Sequence, residues 1–511
     1  MIHRFIVIVV SLLVVSSTTA LAQQRSAKRG VSWDEKTQAL SASVIGKMAP
    51  GVCWVYNWGV APTGTADNLG LGDGKMAFLP MCWNDNFNET QLRNYLSQHQ
   101  GETRYLLAFN EPNLSWNVGG AQMTPEQAAT AWPKVKQIAA DYDLEIVAPA
   151  LNFTGDKVGD RVWEPFAWYD EFFRLVPDAG VDYLCFHSYM NYYSAVNWVA
   201  TEYFYTDKEE SDLFYSTNRA KYPHLVQYLE NYKEAHGHFP RMFLTEFCSY
   251  SGYEYPYKAA ITRDFQIDQM TQKLQKLEKS DLVAGYAWFM GNIAQGANEW
   301  PYMSIFQSNT PTSELSELGK VYVHMSSFDQ EKYYTPGEPI LAKDYIDAAM
   351  DDQQPKVRPN TETGSDIPLQ VQWGGSAWMS YQVDIATAGS YELTLHMQST
   401  AAASMRLYRN ATGAANKLMD TTALPSTGGS WTDVTIQVTL PAGKYALLLY
   451  NMSNTNVLLN QLQLNGTGSG IGHAPACSKG KEDGYYTLSG VAIKKPQRKG
   501  LYIYHGRKVV M

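Results

Sequence analysis

Two glutamates end apolar runs in this chain: Glu111 in RYLLAFNEPNLSW (104–116) and Glu246 in RMFLTEFCSY (241–250). Two converging carboxylates can divide the hydrolysis of a glycosidic bond. One protonates the leaving oxygen while the other attacks or stabilises the anomeric carbon. Either glutamate alone could equally be a first-turn helix acid or an ion-pair partner. The pair at matching positions, one of them in an Asn-Glu-Pro context, argues for chemistry. Asn110 could hydrogen-bond a sugar hydroxyl beside the scissile bond, or form an Asx-turn that opens the following loop. His187 and Tyr189 follow a third apolar run, VDYLCFHSY (181–189), and could hydrogen-bond the nucleophile or a sugar hydroxyl; a purely structural histidine is the alternative. Trp58, Trp83 and Trp288 also close apolar runs, where an indole face could carry a sugar ring or simply pack in the wall.

The elements that must position these residues repeat up to about residue 328. Apolar runs at 30–33, 51–59, 75–83, 105–111, 145–153, 181–189, 241–247 and 283–292 alternate with polar, helix-like segments. One such segment, 124–142, opens with Thr124 as N-cap and Pro125 in the first turn. Continuous rather than alternating apolar runs suit parallel strands buried on both faces, so the pattern predicts an α/β fold, a (β/α)₈ TIM barrel. Functional residues of such barrels sit at the carboxyl ends of the strands. Glu111 and Glu246 fall at the ends of strands four and seven, facing each other across the mouth. The narrow interior predicts the short carboxyl separation of about 5 to 5.5 Å that retention requires. The 135 residues from Glu111 to Glu246 exceed the roughly 95 that three βα units supply. An insertion is therefore expected, placed at 191–218 as one wall of the cleft.

Length and composition set the outer limits. A chain of 511 residues implies two to four domains at about 100 to 200 residues each. The 14 Trp, 34 Tyr and 18 Phe exceed ordinary packing needs and suit a sugar-lined surface. A net charge of −9 without clustered Lys and Arg argues against nucleic acid. Residues 1–22 read as a secretory signal peptide, with an apolar run too short for a membrane span and no lipid-anchoring Cys behind it. The mature chain is expected to be a monomer, secreted or associated with the cell surface or outer membrane. Cys53, Cys82, Cys185, Cys248 and Cys477 are few, and buried thiols are expected.

The motifs LLAFNEPN, FHSY, FLTEF and EIVAPA, with a Trp-containing first strand, resemble glycoside hydrolase family 128 over residues 28–328. The resemblance implies a secreted enzyme that cuts internal β-1,3 bonds of β-glucan with retention, Glu111 being the acid/base and Glu246 the nucleophile. HSY stands where HWY is expected, which leaves the sugar contact at Ser188 open. Residues 340–466 change texture to alternating strands and short turns, a β-sandwich. This segment resembles a family 6 carbohydrate-binding module, which implies an aromatic platform of Trp378 and Trp431 with Asn460 as polar contact; a mere spacer is the alternative. No cofactor is expected; structural calcium in the sandwich stays open but doubtful, because Lys343 stands where such modules carry an acid that helps hold it. Residues 480–511, with a hairpin at YIYHGRKVV, resemble sorting tails of secreted Bacteroidetes proteins. Two functions stand after this reading: a retaining endo-β-1,3-glucanase or related β-glycosidase, and a surface glycan-binding protein without turnover.

Overall fold

The computed structural model describes residues 23–64, 67–152, 156–163, 165–189, 223–249, 262–292, 302–350 and 353–466, with four short strands between 485 and 510. The expected signal peptide, the expected insertion at 191–218 and Cys477 lie outside these residues. Eight parallel strands form the first module: β1 (Arg29–Ser32), β2 (Trp54–Tyr56), β3 (Ala77–Phe78), β4 (Tyr105–Leu107), β5 (Glu145–Val147), β6 (Tyr183–Ser188), β7 (Arg241–Phe247) and β8 (Val283–Trp288). They run in the order β3-β2-β1-β8-β7-β6-β5-β4. A parallel bridge between Met81 and Leu107 joins the two ends, with the Leu107 N–H on the Pro80 carbonyl at 3.0 Å. The expected barrel is therefore present, with Glu111 past the end of β4 and Glu246 in the last residues of β7.

The ring fills by strand alternation. Trp54, Tyr56, Ala77, Met81, Leu107, Val147, Tyr183, Cys185, Phe243 and Ala287 form one buried cluster, while Val31, Val55, Phe78, Leu106, Tyr286 and Trp288 join the larger cluster shared with the helices. Successive side chains on a strand face opposite ways, so the two clusters interleave. Gly30 makes room for this filling: a Cβ there would lie 2.1 Å from the Trp54 ring. The run 145–153 does not form one strand. After β5 the chain passes Pro149, which has no N–H for a ladder, and resumes at Leu151–Asn152 beside β6.

Seven helices of the described residues cover the ring: α1 (Ala42–Met48), α2 (Glu89–Gln98), α3 (Pro125–Asp141), α4 (Pro165–Leu175), α5 (Pro223–His236), α6 (Arg263–Lys279) and α7 (Glu317–His324). Thr124 and Gln127 close a reciprocal capping box on α3, as the sequence predicted for its start. Ala128, Trp132, Val135, Ile138 and Ala139 give α3 its buried stripe. No helix among the described residues is long and apolar enough to cross a membrane.

The second module is a sandwich of antiparallel strands: β9 (Pro339–Leu341), β10 (Asp347–Ala348), β11 (Lys356–Pro359), β12 (Leu369–Trp373), β13 (Trp378–Ile385), β14 (Gly389–Gln398), β15 (Ala403–Arg409), β16 (Lys417–Leu424), β17 (Thr432–Leu440), β18 (Gly443–Asn451) and β19 (Val457–Gly466). One sheet runs β11-β12-β19-β14-β17 with β9 on β19, the other β10-β13-β18-β15-β16. The sandwich docks on α6. Arg358 and Lys356 on β11 reach Asp268 at 2.8 and 3.0 Å, Lys279 reaches Asp347 at 3.5 Å, and the Gln354 amide donates to the Asp268 carbonyl at 3.2 Å. Covered on both sides, α6 buries Gln266, Gln269, Gln272, Lys273 and Gln275 as well as its apolar residues.

Lys343 is the residue on which the calcium expectation turns. Its ammonium is buried and pairs with Asp344, so a cation already occupies this position. The sandwich offers no set of three acidic, His or Cys ligands among the described residues. Cys82, Cys185 and Cys248 are buried and unbridged, and Cys53 is partly buried. The tail forms a separate four-stranded antiparallel sheet, in which Leu501–Tyr504 and Arg507–Val510 pair as the hairpin expected there.

Candidate active site

The strand alternation that fills the ring also decides what reaches its mouth. On β2 and beyond, Trp54, Tyr56 and Trp58 share one face; on β6 and beyond, Tyr183, Cys185, His187 and Tyr189 do the same. On β7 a bulge intervenes. Leu244 pairs with Phe186 and Glu246 with His187, which leaves Thr245 as the extra residue. A bulge re-aims consecutive side chains, and here both Thr245 and Glu246 reach His187. Glu111 lies past β4 with φ 44°, a left-handed conformation that costs a non-glycine residue about 1 kcal/mol or more. Its N–H donates to the Ala150 carbonyl at 2.8 Å and its carbonyl accepts the Leu114 N–H at 2.9 Å, so both sides of the peptide are fixed.

His187 sits between the two carboxylates. Its Nδ1 is 2.7 Å from Glu111 Oε1 and 3.3 Å from Glu246 Oε2, and its Nε2 is 2.9 Å from Thr245 Oγ1. Asn152 Nδ2 donates to Glu111 Oε1 at 2.7 Å. Glu246 accepts Tyr56 OH at 3.1 Å and Trp58 Nε1 at 2.7 Å on Oε1, and Tyr189 OH on Oε2. All three core members are buried, His187 fully. One ligand atom each of Glu111, His187 and Glu246 lie within 4.8 Å of one another.

The electrostatics follow from burial and proximity. Burial is the largest influence on Glu246 and raises its proton affinity above the ordinary carboxylate value; Glu111 adds to this, while His187 and the donors Tyr189 and Trp58 oppose it. For His187, burial lowers the pKa, but Glu246 and Glu111 outweigh it and hold the imidazole above its usual value. Burial, with Glu246 behind it, pushes the Tyr56 and Tyr189 phenols well up, so both remain donors. The same trio is the only three-ligand set for a metal among the described residues. Its histidine would have to lose the proton that its two carboxylates favour before it could ligate.

The structure brings Glu111, Glu246, His187, Tyr189 and Trp58 into one site, with Trp83 beside it through the Asn110 N–H on the Trp83 carbonyl at 2.9 Å. Asn110 is buried, and its Nδ2 donates to the Gly119 carbonyl at 3.4 Å, a contact within its own loop. Trp288 must be corrected: it is fully buried, its Nε1 on the Met303 carbonyl at 2.7 Å and its ring edge-on to Phe247. It faces the helices because it lies one residue out of phase with Ala287. Phe289, the next residue, takes the place at the mouth, edge-on to Trp58 at 5.9 Å and Tyr189 at 5.4 Å. Sequence reasoning also missed Tyr56, Asn152 and Thr245. Asn152 ends the fifth apolar run and answers to the same strand-end rule that found Glu111. Thr245 could not be found that way, because the bulge is invisible in the sequence.

On the sandwich, Trp431 and Asn460 converge on another histidine. His396 stacks on Trp431 at 5.6 Å and 10°. Its Nδ1 meets Asp433 at 2.6 Å and its Nε2 meets Glu362 at 2.8 Å, while Asn460 Nδ2 donates to Glu362 at 2.7 Å. Trp378 begins β13, in the sheet opposite the one that Trp431 precedes at β17.

Comparison with known proteins gives these sites a family. A family model described as glycosyl hydrolase catalytic core matches residues 30–209 and 214–322, and one described as carbohydrate binding module (family 6) matches 371–466. Among solved structures, the chain is similar to a GH128 (subgroup II) endo-beta-1,3-glucanase from Pseudomonas viridiflava, with 28% identity over 59% of this chain and 98% of that one, TM-score 0.40. The corresponding enzyme from Sorangium cellulosum shows 26% identity over 58% and 97%, TM-score 0.40. A family 6 module of Cellvibrio mixtus lichenase 5A, in complex with cellotriose, shows 24% identity over 26% and 99%, TM-score 0.22. No curated protein matches the chain at a significant level. With more than half of its length matched by the first model, the chain belongs to the glycosyl hydrolase catalytic core family and is a carbohydrate-active glycoside hydrolase carrying a family 6 carbohydrate-binding module.

Proposed function

We propose that this glycoside hydrolase cleaves internal β-1,3 bonds of β-glucan by double displacement with retention. What supports the mechanism is the closeness of Glu111 and Glu246, whose facing oxygens lie within 4.8 Å and share the single His187 Nδ1 at 2.7 and 3.3 Å. Retaining enzymes hold their carboxyl groups about 5 to 5.5 Å apart, whereas inverting ones need about 6.5 to 9.5 Å to admit a water between acid and base. Glu111 gives a proton to the glycosidic oxygen as the Glu246 carboxylate attacks the anomeric carbon, which breaks the C–O bond and forms a glycosyl ester. Glu111 then takes a proton from water as the water oxygen attacks the same carbon and releases Glu246. Tyr56, Trp58 and Tyr189 orient the nucleophile. His187 shares its Nδ1 between the carboxylates and steadies whichever is charged at each stage.

The β-1,3 linkage rests on the motif resemblance around Asn110-Glu111-Pro112 and Thr245-Glu246-Phe247. The sandwich holds the protein on the polymer through Trp431, and export to the cell surface or medium brings it there; Asn460, fully buried, holds Glu362 rather than a sugar. Product analysis on β-1,3-glucan, β-1,4-glucan, mixed-linkage glucan and mannan tests this reading. A ladder of β-1,3-linked oligosaccharides is expected. Binding without any released sugar would leave only the glycan-binding role, and products from another polymer alone would replace the linkage.

A further inference from the structure

The aromatic residues around the mouth divide into two groups that differ in how they are held. Tyr56, Trp58 and Tyr189 surround Glu246 and spend their polar atoms on its carboxylate. Trp83, whose carbonyl accepts the Asn110 N–H, and Trp116, five residues past Glu111, form a tilted pair, ring centroids 5.0 Å apart and planes at 44°. Trp83 is partly buried, whereas Trp116 is 55% exposed. A solvated indole leaves a large apolar area in water, so a chain that holds one out needs a reason.

The loop that carries Trp116 is tied back on itself. It begins at Glu111 and returns to it: the Gln122 N–H donates to the Leu114 carbonyl at 3.0 Å, the Ala121 N–H to the Asn110 carbonyl at 2.8 Å and the Met123 N–H to the Pro112 carbonyl at 3.0 Å. The Trp116 N–H is taken by Gln122 Oε1 at 3.0 Å. Gly120 permits the closure, since a Cβ there would stand 2.4 Å from the Leu114 carbonyl oxygen and 2.6 Å from that of Glu111. One loop thus carries both the carboxyl group and the exposed ring, five residues apart.

On the reading that Glu111 is the proton donor, we propose that Trp83 and Trp116 form a sugar-binding platform on the leaving-group side of the cleft, which takes a glucosyl residue of the departing chain. The oxygen that Glu111 protonates belongs to the leaving sugar, so that sugar lies on the Glu111 side of the broken bond. The apolar face of a pyranose ring stacks on an indole, and among the described residues Trp116 presents an exposed one there. The contact persists as the bond breaks and holds the leaving chain in line with Glu111.

Two substrates separate this platform from the chemistry. A β-1,3-linked glucohexaose leaves as a sugar chain, whereas β-laminaribiosyl fluoride leaves as a single atom and has nothing to stack. Trp116→Ala should change the ratio of kcat/KM between hexaose and fluoride about tenfold, against the hexaose, as expected for one lost aromatic contact. Trp116→Phe should restore most of it. An unchanged ratio overturns the platform, whether both rates hold or both fall together. A wild-type protein inert toward both substrates overturns the glucanase reading itself, a result distinct from any behaviour of the variants.

Discussion

The barrel and the sandwich each place a histidine between two carboxylates, and the two sites behave differently. In the barrel, His187 is fully buried between Glu111 and Glu246. In the sandwich, His396 is partly exposed between Glu362 and Asp433. Both histidines are held above their ordinary pKa by their partners, against burial. The glutamates diverge. Burial dominates at Glu246 and pushes it up, while at Glu362 burial also pushes up but the hydrogen bonds from His396 and Asn460 win and bring it down. On the proposed mechanism, the same three groups make a proton-exchanging centre in the enclosed barrel site, against a more exposed ion-pair network on the sandwich. Residue identity alone does not set the direction of the glutamate's shift; enclosure does.

The largest expected effect breaks the comparison on the barrel side. Glu246→Gln removes the nucleophile but keeps its shape, so turnover should fall by about 10³-fold or more with glycan binding retained, as measured by rate assay and calorimetry. Turnover at the wild-type rate in that variant would remove Glu246 from the mechanism. Next come the two histidines themselves. His187→Asn should lower kcat roughly 10²-fold, whereas His396→Asn should leave kcat on a short soluble oligosaccharide within about twofold. Equal losses would mean that the clusters are both structural.

A smaller effect sharpens the account of how the buried site is tuned. Thr245→Val removes the hydroxyl facing His187 Nε2, and the loss of one buried hydrogen bond, about 1 kcal/mol, should reduce kcat several-fold and move the acid limb of the rate profile. The direction of that limb follows from Glu246. The nucleophile works ionised and its pKa is raised, so activity is lost as pH falls through a value above the usual carboxylate of about 4.3. Thr245→Ser should restore both rate and profile. If valine changes stability but neither kcat nor the limb, Thr245 is only part of the packing. The smallest effect on chemistry belongs to the sandwich: Trp431→Ala should weaken retention on insoluble glucan several-fold and leave soluble turnover unchanged. Deleting the whole module is a poorer test, because it would uncover α6, whose Asp268 pairs with Lys356 and Arg358.

How much of this was legible in the sequence depends on the period of the strands. Glu111, Glu246, His187, Tyr189, Trp58 and Trp83 could be named because each ends a continuous apolar run, and such ends meet at the mouth. Trp288 met the same criterion and failed by one residue of phase: Ala287 points into the ring, so Trp288 must point out and Phe289 in. Counting parity along β8 would have reversed that choice. Thr245 was hidden for the opposite reason, since the β7 bulge breaks parity and lets two successive residues face one histidine. In the sandwich the platform residues were chosen by resemblance, and only contacts across strands reveal that one face of Trp431 is covered by His396.

Retention is the claim on which the geometry and the chemistry depend together, and the anomeric form of the first product reads it directly. Proton NMR of the freshly released reducing end of a β-1,3-glucan should show the β-anomer before mutarotation brings in the α-anomer, because two displacements at one carbon restore its configuration. An α-anomer appearing first would contradict the nucleophile role of Glu246 and the account built on its closeness to Glu111.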